Sequence, residues 1–226
     1  MLPTNSFTRR WWLAGVCCVV YALLWIGWVQ DWRWLVSADT STLAAGWRVG
    51  ADHPVWVTFW DVWCTVFSPV VMRILAIGLI VHAFRKRQVR TAVFLIVCVE
   101  LSAVLTEVLK QLADRPRPAT ALVDALSTSF PSGHALGTVA VLLAVGVVYL
   151  PKLSAHLRPW ALVAAVVVVL TVGAGRVALN VHHPSDVVAG WAMGYVYFAV
   201  CLLILRGDRT EVTEAVETPA EPDNER

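Results

Sequence analysis

Charge is what this chain has least of. Asp, Glu, Lys and Arg make up 15% of its 226 residues, where a soluble domain carries roughly 25%. With 58% hydrophobic residues and a mean hydropathy of +0.66, that scarcity argues against a water-solvated domain and for an integral membrane protein. The net charge of +2 is too small for a nucleic-acid partner. The five cysteines (Cys17, Cys18, Cys64, Cys98, Cys201) sit in apolar stretches with neither metal-ligand spacing nor a disulfide framework, so they are expected as small lipid- or core-facing hydrophobes. No internal repeat is present, and the length leaves no room for a second sizeable domain beside one helical bundle. Arg9 and Arg10 precede an apolar run, but no small-residue cleavage site follows; they are expected to flank a first span rather than to form an export signal.

Long apolar runs, by contrast, are plentiful. A bilayer core is crossed by about 20 apolar residues in a helix, and six stretches qualify: 11–29, 59–82, 91–109, 134–150, 160–175 and 187–205. The expected fold is all-α, a six-transmembrane-helix bundle. The second stretch is the least clean, because Asp61 and Arg73 lie in it; a structural ion pair or snorkelling accounts for Arg73. The Val/Ala/Leu-rich fifth stretch would suit a buried strand in water, but open strands cannot satisfy their backbone in lipid. Trp11, Trp12, Trp28, Trp32, Trp34, Trp160 and Trp191 flank the runs as interfacial anchors would. With alternating spans, 11 of the 18 Lys and Arg residues fall on the side of the N-terminus and six on the other, which places both termini in the cytoplasm. Residues 1–206 form the membrane domain in this scheme. Residues 207–226, acidic and without apolar period, form a disordered cytoplasmic tail.

Ionisable residues near the spans gather in three segments on the outer side: "KQLADRPRP" (110–118), "PSGH" (131–134) and "GRVALNVHHPSD" (175–186). In the second, Pro131 breaks the chain, Ser132 can cap the next helix or donate outward, Gly133 exposes its N–H to a ligand, and His134 can donate a proton. A helix start of this kind suits an anion. Alone, the tetrapeptide fits a simple cap and a core histidine equally well. In the first segment, Lys110 offers a point charge and Arg117 a planar fork for phosphate oxygens; Arg115 is expected at the headgroup interface. In the third, Pro184 is expected to start the last helix, which puts Asp186 in its first turn, within hydrogen-bond reach of His182. Arg176 adds another anion ligand. Zinc bound by His182, His183 and Asp186 is disfavoured by the surrounding cations.

Together these residues resemble the type 2 phosphatidic acid phosphatase superfamily of membrane lipid phosphate phosphatases. Its signature has three parts: Lys-x6-Arg-Pro (Lys110, Arg117, Pro118), Pro-Ser-Gly-His (Pro131 to His134), and Ser-Arg-x5-His-x3-Asp (Arg176, His182, Asp186, with Gly175 in the place of the serine). The resemblance implies a metal-independent phosphatase, without cofactor, whose site lies at the outer membrane interface. His182 would be the nucleophile, with His183 as second choice. Asp186 would orient it, and His134 would be the acid and then the base. Lys110, Arg117, Ser132, Gly133 and Arg176 would hold the phosphoryl group. The implied substrate is a lipid phosphate or diphosphate, with a leaning towards a polyprenyl diphosphate and with phosphatidic acid or phosphatidylglycerol phosphate as alternatives. Rival readings are a phosphotransferase of the same fold and a non-catalytic membrane transporter. The implied partners are the substrate and membrane lipids; the oligomeric state is open.

Overall fold

A computed structural model describes residues 4–205, with side chains from residue 8. The tail expected at 207–226 lies outside the described residues. Among the described residues there is no strand. The helices are α1 (Thr4–Val29), α2 (Arg33–Gly50), α3 (Pro54–Val66), α4 (Pro69–Arg85), α5 (Val89–Leu95), α6 (Ser102–Ala113), α7 (Gly133–Tyr149), α8 (Leu157–Ala178) and α9 (Pro184–Cys201). Six segments are long and apolar enough to cross a membrane: Thr8–Val29, Pro54–Arg85, Val89–Ala113, Gly133–Lys152, Leu157–Ala178 and Pro184–Leu205. They coincide with the six expected spans, each somewhat longer than its apolar run.

Three local features depart from six simple rods. The second span is two helices. Phe67 and Ser68 interrupt it, Ser68 Oγ accepts from the Val71 N–H at 3.3 Å, and Pro69 opens α4; proline is well placed there because a first-turn residue needs no N–H partner. The third span carries a π-helical turn, Ile96–Glu100, between α5 and α6. Helix α2, in the connection between the first two spans, was not expected as a helix. Its buried residues Leu35, Asp39, Leu43 and Gly50 form one face, the 3–4-residue spacing of an amphipathic helix.

Packing is inverted relative to a soluble protein. Large apolar side chains such as Leu75, Ile74 and Leu112 are exposed, as lipid-facing positions should be. Helix α9 is central: half of its span is buried, against 17% for the first span. It packs most closely on α7, and glycine makes that approach possible. A Cβ on Gly190 would lie 2.6 Å from the Ser132 carbonyl oxygen, and one on Gly194 2.7 Å from that of Leu136. Gly190 and Gly194 thus form a small-xxx-small contact of the kind that lets membrane helices meet backbone to backbone. The result is that the start of α9 lies against the start of α7.

The tryptophans divide. Trp12, Trp34 and Trp160 are well exposed, as anchors would be. Trp28 instead stacks on Arg115, and the Trp191 ring packs against Gly173; both are half-buried. All five cysteines are free, with Cys64, Cys98 and Cys201 buried. Arg73 acts electrostatically on Glu100 of the π turn, and Asp61 on Arg176.

Candidate active site

The three polar segments converge at one end of the bundle. Lys110 lies in the last turn of α6, Ser132 at the cap position of α7, Arg176 in the last turn of α8 and Asp186 in the first turn of α9. Backbone contacts join them: the Ser132 N–H donates to the Asp186 carbonyl at 2.9 Å, and Val181 N–H to the Arg176 carbonyl at 3.2 Å. Arg176, His182, Lys110 and Arg117 all act electrostatically on His134. Every residue expected in the site is therefore brought to one place.

His182 stands at the centre, 1% exposed. Arg117 Nη1 lies 3.3 Å from its Nε2. A guanidinium can only donate, so Nε2 carries the lone pair and Nδ1 the proton. Nδ1 faces Asp186 Oδ2 at 3.5 Å without closing a hydrogen bond, so in place of the expected His182–Asp186 hydrogen bond there is a longer contact between a neutral ring N–H and the carboxylate. Burial drives the His182 pKa down to about 4, against the upward pull of Asp186 and helped by the Arg176 and Arg117 cations. The ring is neutral at physiological pH, with its Nε2 lone pair turned to the Arg117 guanidinium.

The neighbouring His183 has a different task. Its N–H donates to Asp186 Oδ2 at 2.8 Å, and the two residues form a capping box at the start of α9. Its own Nδ1 lies 3.2 Å from the same oxygen.

Arg117 is held by backbone. It donates to the Ser127, Leu126 and Val181 carbonyls at 2.9, 2.8 and 2.7 Å. Burial, and then Arg176, bring its pKa down to about 10, which leaves it charged. Lys110 Nζ donates to Ser127 Oγ at 2.6 Å. Ser132 occupies the cap position of α7 without capping it, and its buried hydroxyl has no protein partner. The Arg176 Nε is likewise buried and unpartnered. Two orphan polar groups beside an electron-rich imidazole and three cations suit a tetrahedral anion.

Two glycines here are fixed by contact. A Cβ on Gly133 would lie 2.9 Å from Thr106 Cγ2, so close packing against α6 demands glycine as well as access to its N–H. A Cβ on Gly175 would meet Cys64 Sγ at 2.6 Å and Trp60 Cε3 at 2.8 Å. The serine that the family signature carries there would not fit beside these side chains.

Arg115 corrects the expectation of a headgroup anchor. It is 4% exposed. Its Nη1 donates to Asp186 Oδ1 at 2.6 Å and Ser185 Oγ at 2.7 Å, its Nη2 to Asp39 Oδ2 at 2.8 Å, and Trp28 covers its face at 4.9 Å. Asp39 also accepts from the Ser185 N–H and hydroxyl at 3.0 and 2.6 Å. Asp39 and Ser185 were not expected in the site. The one signal in the sequence was an aspartate amid apolar residues of an amphipathic segment, at positions 35, 39 and 43.

A bundle of six apolar spans with cations and histidines gathered at one end defines a class of membrane protein. The family model described as the PAP2 superfamily matches residues 91–209, and the chain belongs to that superfamily. It is 41% identical over 98 residues to phosphatidylglycerophosphatase B of Bacillus subtilis (42% of this chain, 48% of that protein). It is 32% identical over 120 residues to an undecaprenyl-diphosphatase of Sulfolobus acidocaldarius (48% and 52%). The chain spans about half the length of the curated relatives it matches. In fold it is similar to the crystal structure of a transmembrane PAP2-type phosphatidylglycerolphosphate phosphatase from Bacillus subtilis, with a TM-score of 0.75 over 87% of this chain and 97% of that one, at 24% identity. The protein is a multi-pass membrane protein of the PAP2 fold.

Proposed function

We propose that this chain hydrolyses a lipid phosphate or diphosphate without a metal, through a phosphohistidine. The observation that carries the proposal is the two-sided setting of His182, with Nε2 towards Arg117 and Nδ1–H towards Asp186. Nε2 attacks phosphorus and forms the N–P bond as the P–O bond to the lipid breaks. His134 gives its proton to the leaving oxygen. It then takes one from the water that attacks the phosphohistidine, releasing phosphate and freeing Nε2. Asp186 balances the imidazolium charge of the intermediate. Lys110, Arg117, Arg176, the Ser132 hydroxyl and the Gly133 N–H stabilise the phosphoryl oxygens as charge develops on them. A metal would compete for donors already in use, since Asp186 Oδ1 holds Arg115 and Oδ2 the His183 N–H. The names of the two relatives support a lipid phosphate, and the leaning is towards a polyprenyl diphosphate because an outer-leaflet site suits carrier-lipid recycling.

Phosphate release by purified protein in EDTA, from a panel of polyprenyl diphosphate, phosphatidic acid and phosphatidylglycerol phosphate, tests this. We expect release from at least one lipid, loss of turnover in His182→Ala, and a measurable residue of activity in His183→Ala. Dependence on added metal, or an active His182→Ala enzyme, refutes it; transfer to a lipid or sugar acceptor in place of free phosphate assigns the phosphotransferase reading. Because folded His182 resists protonation down to about 4, its phosphorylation rate should persist as pH falls below 6.5 and collapse only towards 4. The site is proposed to face outward, with both termini cytoplasmic. A cysteine at Ala119 should then react with an impermeant thiol reagent in intact cells, and one at Gln88 should not; the reverse pattern inverts the orientation.

A further inference from the structure

Resting on the proposed role of His182, we infer that Asp39 and Arg115 are positioning residues, which together set how much of the Asp186 charge reaches His182. Two buried carboxylates share one buried guanidinium. Asp39 takes Arg115 Nη2 at 2.8 Å and Asp186 takes Nη1 at 2.6 Å. Asp39 is 2% exposed and Asp186 fully buried, so water does little to screen the competition.

With one arm of Arg115 engaged by Asp39, the arginine meets Asp186 at Oδ1 alone. Oδ2, which accepts the His183 N–H at 2.8 Å, stays clear of the arginine and faces His182 Nδ1 at 3.5 Å. Without the Asp39 charge, both arms of Arg115 are free to close on Asp186. A bidentate pair would draw Oδ2 away from the imidazole and leave the phosphohistidine cation uncompensated. Asp39 thus acts on a histidine that it does not touch.

Three elements outside the signature segments hold this device. Trp28 of α1 covers the guanidinium, α2 supplies Asp39, and Ser185 links Asp39 to α9 through both its N–H and its hydroxyl. Asn180 ties α2 down a second time, donating to the Leu43 carbonyl at 3.0 Å. The charged and titratable groups around Asp186 are Asp39 from α2, Lys110 from α6, Arg115 and Arg117 from the following loop, His134 from α7, Arg176 from α8, and His182 and His183 at the start of α9. Asp39 is the carboxylate that shares Arg115 with Asp186.

The test uses the full chain in detergent, with the lipid of the panel above (polyprenyl diphosphate, phosphatidic acid or phosphatidylglycerol phosphate) that gives the fastest phosphate release as probe. Wild-type turnover and its loss in His182→Ala establish the underlying reading; failure of either removes both that reading and this inference. With both in place, Asp39→Asn should lower kcat about 10- to 100-fold and leave KM within about threefold. The acid limb of its single-turnover profile should move to lower pH, because an unshared Arg115 opposes the imidazolium. The double variant Asp39→Asn/Arg115→Gln removes the competitor as well and leaves only Asp186 buried without the cation; read per folded protein, it should turn over faster than Asp39→Asn alone. If Asp39→Asn fails to fold, Asp39→Ser removes the charge in its place and should show the same kcat loss and profile shift; Asp39→Glu, which keeps a carboxylate on Arg115, should retain kcat better than either. Wild-type kcat in a folded variant without the Asp39 charge, or a folded double variant no faster than Asp39→Asn, overturns the inference.

Discussion

The two halves of this bundle are held by different physics. In the apolar half, Phe94, Leu95, Cys98 and Val99 of the third span pack against Ala76, Ile80 and Ala83 of α4, Val141 and Ala144 of α7, and Phe198 and Cys201 of α9. These contacts have no direction, and shape alone decides who may stand there. At the polar end the contacts are short and directed, with the Ser132 hydroxyl and the Arg176 Nε among the donors left without an acceptor. Arg115 and Arg117 are separated by one proline, yet one is fixed by two carboxylates and a hydroxyl, the other by three backbone carbonyls and an imidazole. Neighbours in sequence are close to interchangeable in the first region and are not in the second.

The strongest way to break this contrast is Arg115→Ala. It leaves Asp39 and Asp186 buried without their cation, and losing one partner of a buried ion pair costs about 3–5 kcal/mol. We expect little folded protein, read as loss of the monodisperse peak in size-exclusion chromatography. A stable Arg115→Ala protein with full turnover would return Arg115 to the interface.

Arg117→Ala should fold, because two of the three carbonyls it releases belong to exposed loop residues, Leu126 and Ser127, and only that of Val181 is buried. Its loss should appear in kcat, at about 2.7–4 kcal/mol or a hundred- to a thousandfold, with a smaller rise in KM. Arg117→Lys should recover only part of it, since an ammonium cannot reach three carbonyls and the phosphoryl group together. Steady-state kinetics on one lipid phosphate decide the matter; a KM effect alone would make Arg117 a binding residue without a share in the transition state.

Phe94→Leu in the apolar half should do least. A swap that nearly conserves volume costs below about 1.5 kcal/mol, and lipid offers no hydrophobic penalty for the change. Thermal unfolding in detergent should show a small shift, with kcat unchanged in the folded fraction. A large loss of kcat would mean that the two halves are coupled.

The same contrast explains what could be read from the chain. Hydropathy found the six spans because lipid imposes a length and a polarity on each span separately. Spacing found Lys110, Arg117, Ser132, Gly133, His134, Arg176, His182 and Asp186, since these sit at helix ends where register is local. Helix α2 was missed because it is too polar to pass as a span and is defined by one buried face. The break at Phe67–Ser68 and the π turn at Ile96–Glu100 were missed because they interrupt hydrogen bonding without interrupting the apolar run.

By itself, then, the sequence determined that this protein is a membrane bundle of six spans and which polar residues crowd one end of it. The first follows from composition and the length of apolar runs, the second from three short polar segments and their resemblance to a family signature. Only the tertiary structure decided which arginine meets His182 and which meets Asp186, that Gly175 has no room for a side chain beside Cys64, and that Asp39 belongs to the site. Asp39 is 76 residues from Arg115 and 146 from Ser185. A directed contact between buried charges over such separations exists only once the backbones of α2 and α9 have been brought together.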